Sequence, residues 1–220
     1  MSITRERFAA LSDFATWLQE NAVPSLFKSV AFSSNTLIAT GDEDNVILEI
    51  NNQTFRAYRG ESNYFSVPYL TAFPASNSAI DIIGCDNGFI ASVGVSTQIG
   101  GGPYGFSFMA TKTNNGKVAI LFPGTIAADA GLQYTTNLQH VAFGDSPTTA
   151  TATTFTPESG NQTIITPFIT NSDIGGKSYT PSAGYMPAHS NYGSGLNKFL
   201  LGADMYITNG YWCIKDGGAE

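Results

Sequence analysis

Charge is scarce in this sequence. Asp, Glu, Lys and Arg make up 12% of its 220 residues, about half the usual share of roughly 25%. Solvated helical bundles depend on Glu and Lys, so a bundle is disfavoured. Basic charge is scarcer still, with 10 Lys and Arg against 17 Asp and Glu and a net charge of −7. Nucleic-acid binding needs a basic footprint, so no nucleic acid is expected as a partner. An anionic membrane surface is excluded for the same reason. No run of 18 apolar residues occurs, so no segment reads as membrane-spanning. Residues Met1-Ser2-Ile3-Thr4-Arg5-Glu6-Arg7 lead into an amphipathic pattern and not into an apolar signal segment, and no Sec export is expected.

The residue types that carry most chemistry are also few. Cys85 and Cys213 both fall in or at the ends of strand patterns. A free thiol is the expected state and a disulfide the alternative. The two histidines, His140 and His189, have no further ligands at a zinc spacing. The hydrolase elbow Gly-x-Ser-x-Gly is missing, and Gly193-Ser194-Gly195 has the wrong spacing. Gly100–Gly105 lacks the Lys-Ser/Thr of a phosphate loop, and no helix pattern follows it. Asp42-Glu43-Asp44 places its acids consecutively, without the alternate spacing of a calcium loop. No catalytic residue, cofactor or metal ligand is assigned, and the chain does not read as an enzyme.

What the sequence has is strand formers and turns. Ser, Thr, Asn and Gly replace the missing charge, and hydrophobic residues reach 42%, enough for a packed core. Strands are expected at 36–39, 46–50, 54–58, 79–84, 89–93, 106–111, 118–122, 139–143 and 163–169. Asp86-Asn87-Gly88 and Asn114-Asn115-Gly116 mark hairpins. Residues 65–70 contain Pro68 and read as an edge strand or an extended loop. Residues 145–161 are rich in Thr, Ser and Pro, compatible with an exposed strand or a linker. Residues 171–198 read as a long ordered loop or a partner-contact arm.

One helix is expected, over 4–23. Phe8, Leu11, Phe14, Ala15, Leu18 and Ala22 share a face that Trp17 widens, Thr4 is the N-cap and Pro24 the stop. Either the helix packs on its own sheet as a lid, or it docks on a neighbouring subunit. The fold class is mainly β: an antiparallel β-sandwich or barrel with one N-terminal amphipathic helix. The organisation is 1–30 helix and lead-in, then 31–220 as a single β domain.

The C-terminal stretch Asp204 to Asp216 carries Tyr206, Tyr211 and Trp212 around Asn209-Gly210, the favoured pair for a type I′ turn. We expect this hairpin to be central to a sheet assembled from earlier strands. Tyr206, Tyr211 and Trp212 read as core. Tyr179, Tyr185 and Tyr192 lie in polar, Gly-rich surroundings and read as surface residues.

This end of the chain, Tyr179-Thr180-Pro181-Ser182-Ala183-Gly184-Tyr185-Met186-Pro187 and then Met205 to Asp216, resembles small structural proteins of tailed-bacteriophage virions, from neck, tail, baseplate or capsid decoration. The resemblance implies a virion location and action by burying neutral surface between other virion proteins and copies of itself. The interface residues expected on that reading are Phe8, Leu11, Phe14, Trp17, Leu18, Tyr179, Tyr185 and Tyr192. The alternative is a carbohydrate- or receptor-binding β domain, with a glycan or host receptor as partner and Tyr185, Tyr192 and Trp212 as stacking platforms.

Overall fold

Among the described residues every strand pairing is antiparallel, and two of the sheets lie face to face around most of the core. The computed structural model describes residues 3–23, 25–41, 46–51, 55–59, 62–67, 80–94, 105–114, 116–122, 139–142, 150–155, 164–171, 177–179, 186–187, 197–201, 203–208 and 212–216. The chain opens with strand β1 (Thr4–Phe8) and helix α1 (Leu11–Asn21). A meander follows: β2 (Ser29–Ser33), β3 (Thr36–Thr40), β4 (Val46–Ile50), β5 (Phe55–Arg59) and β6 (Ser62–Val67). These five form one sheet in sequence order. The next strands are β7 (Ile80–Cys85), β8 (Gly88–Gly94), β9 (Gly105–Lys112), β10 (Val118–Phe122) and β11 (Gln139–Ala142). They form a six-stranded sheet in the order β1-β7-β8-β9-β10-β11.

Strands β12 (Ala150–Phe155), β13 (Ile164–Asn171), β14 (Lys177–Tyr179) and β15 (Met186–Pro187) make a smaller sheet with β13 at its centre. Pro167 pairs with Ala152 on one side. On the other side it falls between the stretch paired to β15 and the stretch paired to β14. A residue without an N–H is tolerated there because no ladder bond is asked of it. Last come β16 (Asn197–Leu201), β17 (Asp204–Thr208) and β18 (Cys213–Asp216), a three-stranded sheet of their own.

The central strands of the six-stranded sheet, β7 to β10, bury side chains on both faces. Successive side chains of a strand point to opposite faces. Ile80, Ile82, Phe89, Ala91, Phe108, Ala110, Val118 and Ile120 face the five-stranded sheet and α1, against Leu37, Ala39, Leu48 and Ile50. Phe89 is the hub of this first core, in edge contact with Phe14 (6.0 Å), Trp17 (5.6 Å) and Phe108 (5.8 Å) between ring centres. On the opposite face, Ile83, Ile90, Met109 and Leu121 stand directly across from one another on four neighbouring strands. With Ala119 they form a second core, which Ile207, Trp212 and Ile214 of the C-terminal sheet cover.

Turn chemistry agrees with the strands. Ser34 and Asn35 have φ of 50° and 60°, which is the type I′ turn that matches strand twist. Gly88 has φ 146°, and a Cβ there would lie 2.2 Å from the Ala110 carbonyl oxygen, so no other residue fits without distortion.

Two expectations are corrected. The helix starts at Leu11, not at residue 4, because Thr4–Phe8 pairs with β7 from Thr4↔Gly84 to Phe8↔Ile80. The backbone groups along the β7 edge take partners from β1, and this outweighs the helical periodicity of Phe8. The final hairpin is not central to a sheet of earlier strands. It belongs to the separate C-terminal sheet and meets the six-stranded sheet face on. Its register is Thr208↔Cys213, so four residues and not two connect the strands. That shift keeps every side chain on its face and sets Ile207 opposite Ile214 at the second core.

Candidate functional site

The outward face of the five-stranded sheet carries an ordered side-chain row. Residues Ala31, Ile38, Glu49 and Arg56 pair across β2, β3, β4 and β5. Ile47 pairs with Tyr58 one step along. Tyr58 Oη donates to Glu49 Oε2 at 3.1 Å. The Arg56 guanidinium lies 3.6 Å from Glu49 Oε1 and 5.7 Å from the centre of the Tyr58 ring. Burial, then the Glu49 hydrogen bond and charge, push the Tyr58 phenol up, so it stays a donor at neutral pH. Beside this triad Ile38 is 37% exposed. Tyr and Arg fixed beside an apolar side chain are the composition enriched in protein interfaces.

A second exposed apolar pair sits on the C-terminal sheet. Leu200 (55% exposed) is opposite Met205 (37%). Asp216 lies near it and receives Lys198 at 2.7 Å and Arg5 at 3.5 Å.

A cleft opens where α1 meets the β1/β7 edge. Its volume is about 370 Å³, and it is lined by Thr4, Trp17, Asn21, Ser25, Gly84, Cys85 and Asp86. Trp17 and Asn21 are four residues apart on α1 and so lie on one side of the helix. Gly84 lets the indole down onto the strand: a Cβ there would be 3.2 Å from Trp17 Cη2 and 3.0 Å from Thr4 Oγ1. Phe14 stacks on Trp17 at 6.3 Å and 15°, and Phe89 meets it edge-on, which fixes the ring. Asn21 Nδ2 donates to the Trp17 carbonyl at 2.9 Å, and Ser25 Oγ donates to the Asn21 carbonyl at 3.4 Å. Burial pushes the Cys85 thiol up, which keeps it neutral.

The sequence-named residues fall as follows. Leu11, Phe14 and Leu18 are buried in the first core, and Phe8 and Trp17 pack half-buried against it. The helix thus lies on its own sheets. Trp212 and Tyr206 are buried, as expected of core residues, which removes Trp212 as a stacking platform. Tyr179 is in β14, where only its backbone is described, and Tyr185 and Tyr192 lie outside the described residues. Asp42–Asn45 and His189 also lie outside them. Cys85 and Cys213 are not joined in a disulfide. Sequence reasoning missed the Tyr58 triad and the cleft. The triad shows in Glu49, Arg56 and Tyr58 only once the β4/β5 register is known.

No known protein family and no curated protein matches the chain. Among the described residues, no helix is long and apolar enough to cross a membrane.

Proposed function

We propose that the chain is a structural subunit that works by contact with copies of itself and with neighbouring subunits, in the setting the C-terminal resemblance implies, a tailed-bacteriophage virion. The observation that carries this reading is the Arg56–Tyr58–Glu49 triad beside exposed Ile38 on an open sheet face. Holding Arg and Tyr in place before contact lowers the ordering cost of association. The scarcity of charge in the chain as a whole supports the same reading, and on this face Glu49 and Arg56 are already paired with each other before any contact.

Light scattering of the full chain over a concentration series tests it. The expected result is a defined oligomer that Ile38→Lys, which sets a cation opposite Glu49, converts to monomers that circular dichroism shows to be folded. A wild-type chain that is monomeric throughout would overturn the reading. Deleting residues 1–24 is the poorer test, because it removes β1 and the helix from the chain's own core.

A further inference from the structure

The cleft between α1 and the β1/β7 edge is unlike the sheet face in its chemistry. One wall is the Trp17 indole, held by Phe14 and Phe89. The rest is polar: Thr4 and Ser25 supply hydroxyls, Asn21 an amide, Asp86 a carboxylate and Cys85 a neutral thiol. No Lys, Arg or His is among the described lining residues. Phosphate, sulfate and carboxylate ligands would therefore meet Asp86 without a compensating cation, and they are disfavoured.

Hydrogen-bond direction narrows the class further. Asn21 commits its Nδ2 to the Trp17 carbonyl, and Ser25 commits its hydroxyl hydrogen to the Asn21 carbonyl. The remaining capacity of both side chains includes acceptor oxygens, and an ionised Asp86 accepts only. A site rich in acceptors asks for a ligand rich in donors. An aromatic wall asks for an apolar face on the same ligand. Its volume, about 370 Å³, stands at the small end of ligand clefts, roughly 300–1,000 Å³.

We infer that this cleft binds a saccharide unit, one or two rings in size, with its C–H face on Trp17 and its hydroxyls donating to Asn21, Ser25 and Asp86. A quaternary ammonium fits less well. It prefers several aromatic faces and would leave the Thr4, Asn21 and Ser25 groups unused. The inference stands on the cleft alone and is independent of the assembly reading.

The test uses the full chain. Its two tryptophans are Trp17 at the cleft and Trp212, which is fully buried. D-glucose, D-galactose, D-mannose, N-acetyl-D-glucosamine and their β-linked disaccharides are titrated, with choline as a control. Saturable fluorescence change and saturation-transfer NMR are the readouts. At least one sugar should saturate the signal and choline should not. Asp86→Ala and Ser25→Ala, at exposed positions, should each weaken that sugar about three- to tenfold, one hydrogen bond's worth. Unfolding midpoints of both variants should stay at the wild-type value. Trp17→Phe keeps an aromatic core partner and should weaken binding while preserving the fold. No saturable sugar response, a response to choline alone, or sugar affinity unchanged in all three variants would each overturn the inference.

Discussion

Ile82 and Ile83 are neighbours in sequence, yet they lie in different hydrophobic cores. Ile82 packs in the first core with the helix and the five-stranded sheet, and Ile83 packs in the second with Trp212. The six-stranded sheet runs between them as a shared wall. Its near-continuous apolar runs, such as Ile80-Asp81-Ile82-Ile83, follow from having both faces covered.

Damage to the two cores should therefore add. Leu48→Ala, in the first, and Trp212→Ala, in the second, are each expected to cost about 2–5 kcal/mol. Measured by urea unfolding at equilibrium, the double variant should equal the sum of the singles within about 0.5 kcal/mol. A large shortfall would mean that the two cores respond as one.

Phe89 should be the most sensitive aromatic of the first core. Its ring touches those of Phe14, Trp17, Phe27 and Phe108. Phe89→Ala is expected to destabilise by about 3–5 kcal/mol. Phe32→Ala, which packs half-buried at the margin, should cost clearly less in the same thermal or chemical melt.

The glycines separate two kinds of backbone cost. Gly116 has φ 80° with nothing within 4 Å of an added Cβ, whereas Gly88 has φ 146° and meets the Ala110 carbonyl. Gly116→Ala should cost only the left-handed penalty, about 1 kcal/mol. Gly88→Ala should add a steric clash and fall well below it in unfolding midpoint.

Asp81 gives the pH dependence a sign. Burial raises its carboxyl above the ordinary value, and Arg7 at 3.5 Å pulls the other way and is outweighed. Ionising this group favours the unfolded chain. The stability it supports is fully present below the unfolded value of about 3.9 and is lost as pH rises through the higher folded value. Asp81→Asn should accordingly be more stable than wild type at neutral pH, relative to the same comparison near pH 3. Unfolding curves of both proteins across that range check it.

Thiol reactivity should rank the two cysteines. Cys85 is partly exposed at the cleft with a raised thiol value, and Cys213 is fully buried. Iodoacetamide should label Cys85 first, more slowly than a free thiol at neutral pH and faster as pH rises. Labelling of Cys213 should wait for unfolding. Peptide mapping by mass spectrometry reads both.

Most strands of the sandwich were legible from alternation and turn residues. The hairpins around Asp86-Asn87 and Asn114–Gly116 stand where their sequence places them. Strand β6 was foreseen only as an edge strand or loop, and it does lie at the edge of its sheet before Pro68. Strand β2 was not legible, because Ser-Val-Ala-Phe-Ser has two large apolar residues and an exposed edge. Strand β1 misled because Thr-Arg-Glu-Arg-Phe fits a helical face as well as a strand, and only the β7 edge decides between them. The cleft draws on residues from 4 to 86, and no spacing along the chain joins Thr4, Trp17 and Gly84. Trp17 was singled out for its helical face, and its neighbour Gly84 becomes meaningful only when the indole is seen resting on it.

The second core has an order of assembly written into it. Its wall, Ile83, Ile90, Met109 and Leu121, is complete once β10 has paired, but its cover comes from Ile207, Trp212 and Ile214. During synthesis at the ribosome, the wall emerges first and waits for these three residues while the intervening chain is made. The Arg5–Asp216 pair can close only after the cover has landed. A chain stopped before Ile207 would thus carry a complete first core and a second core without Ile207, Trp212 and Ile214, an apolar surface of the kind that chaperones hold and that aggregates when they do not.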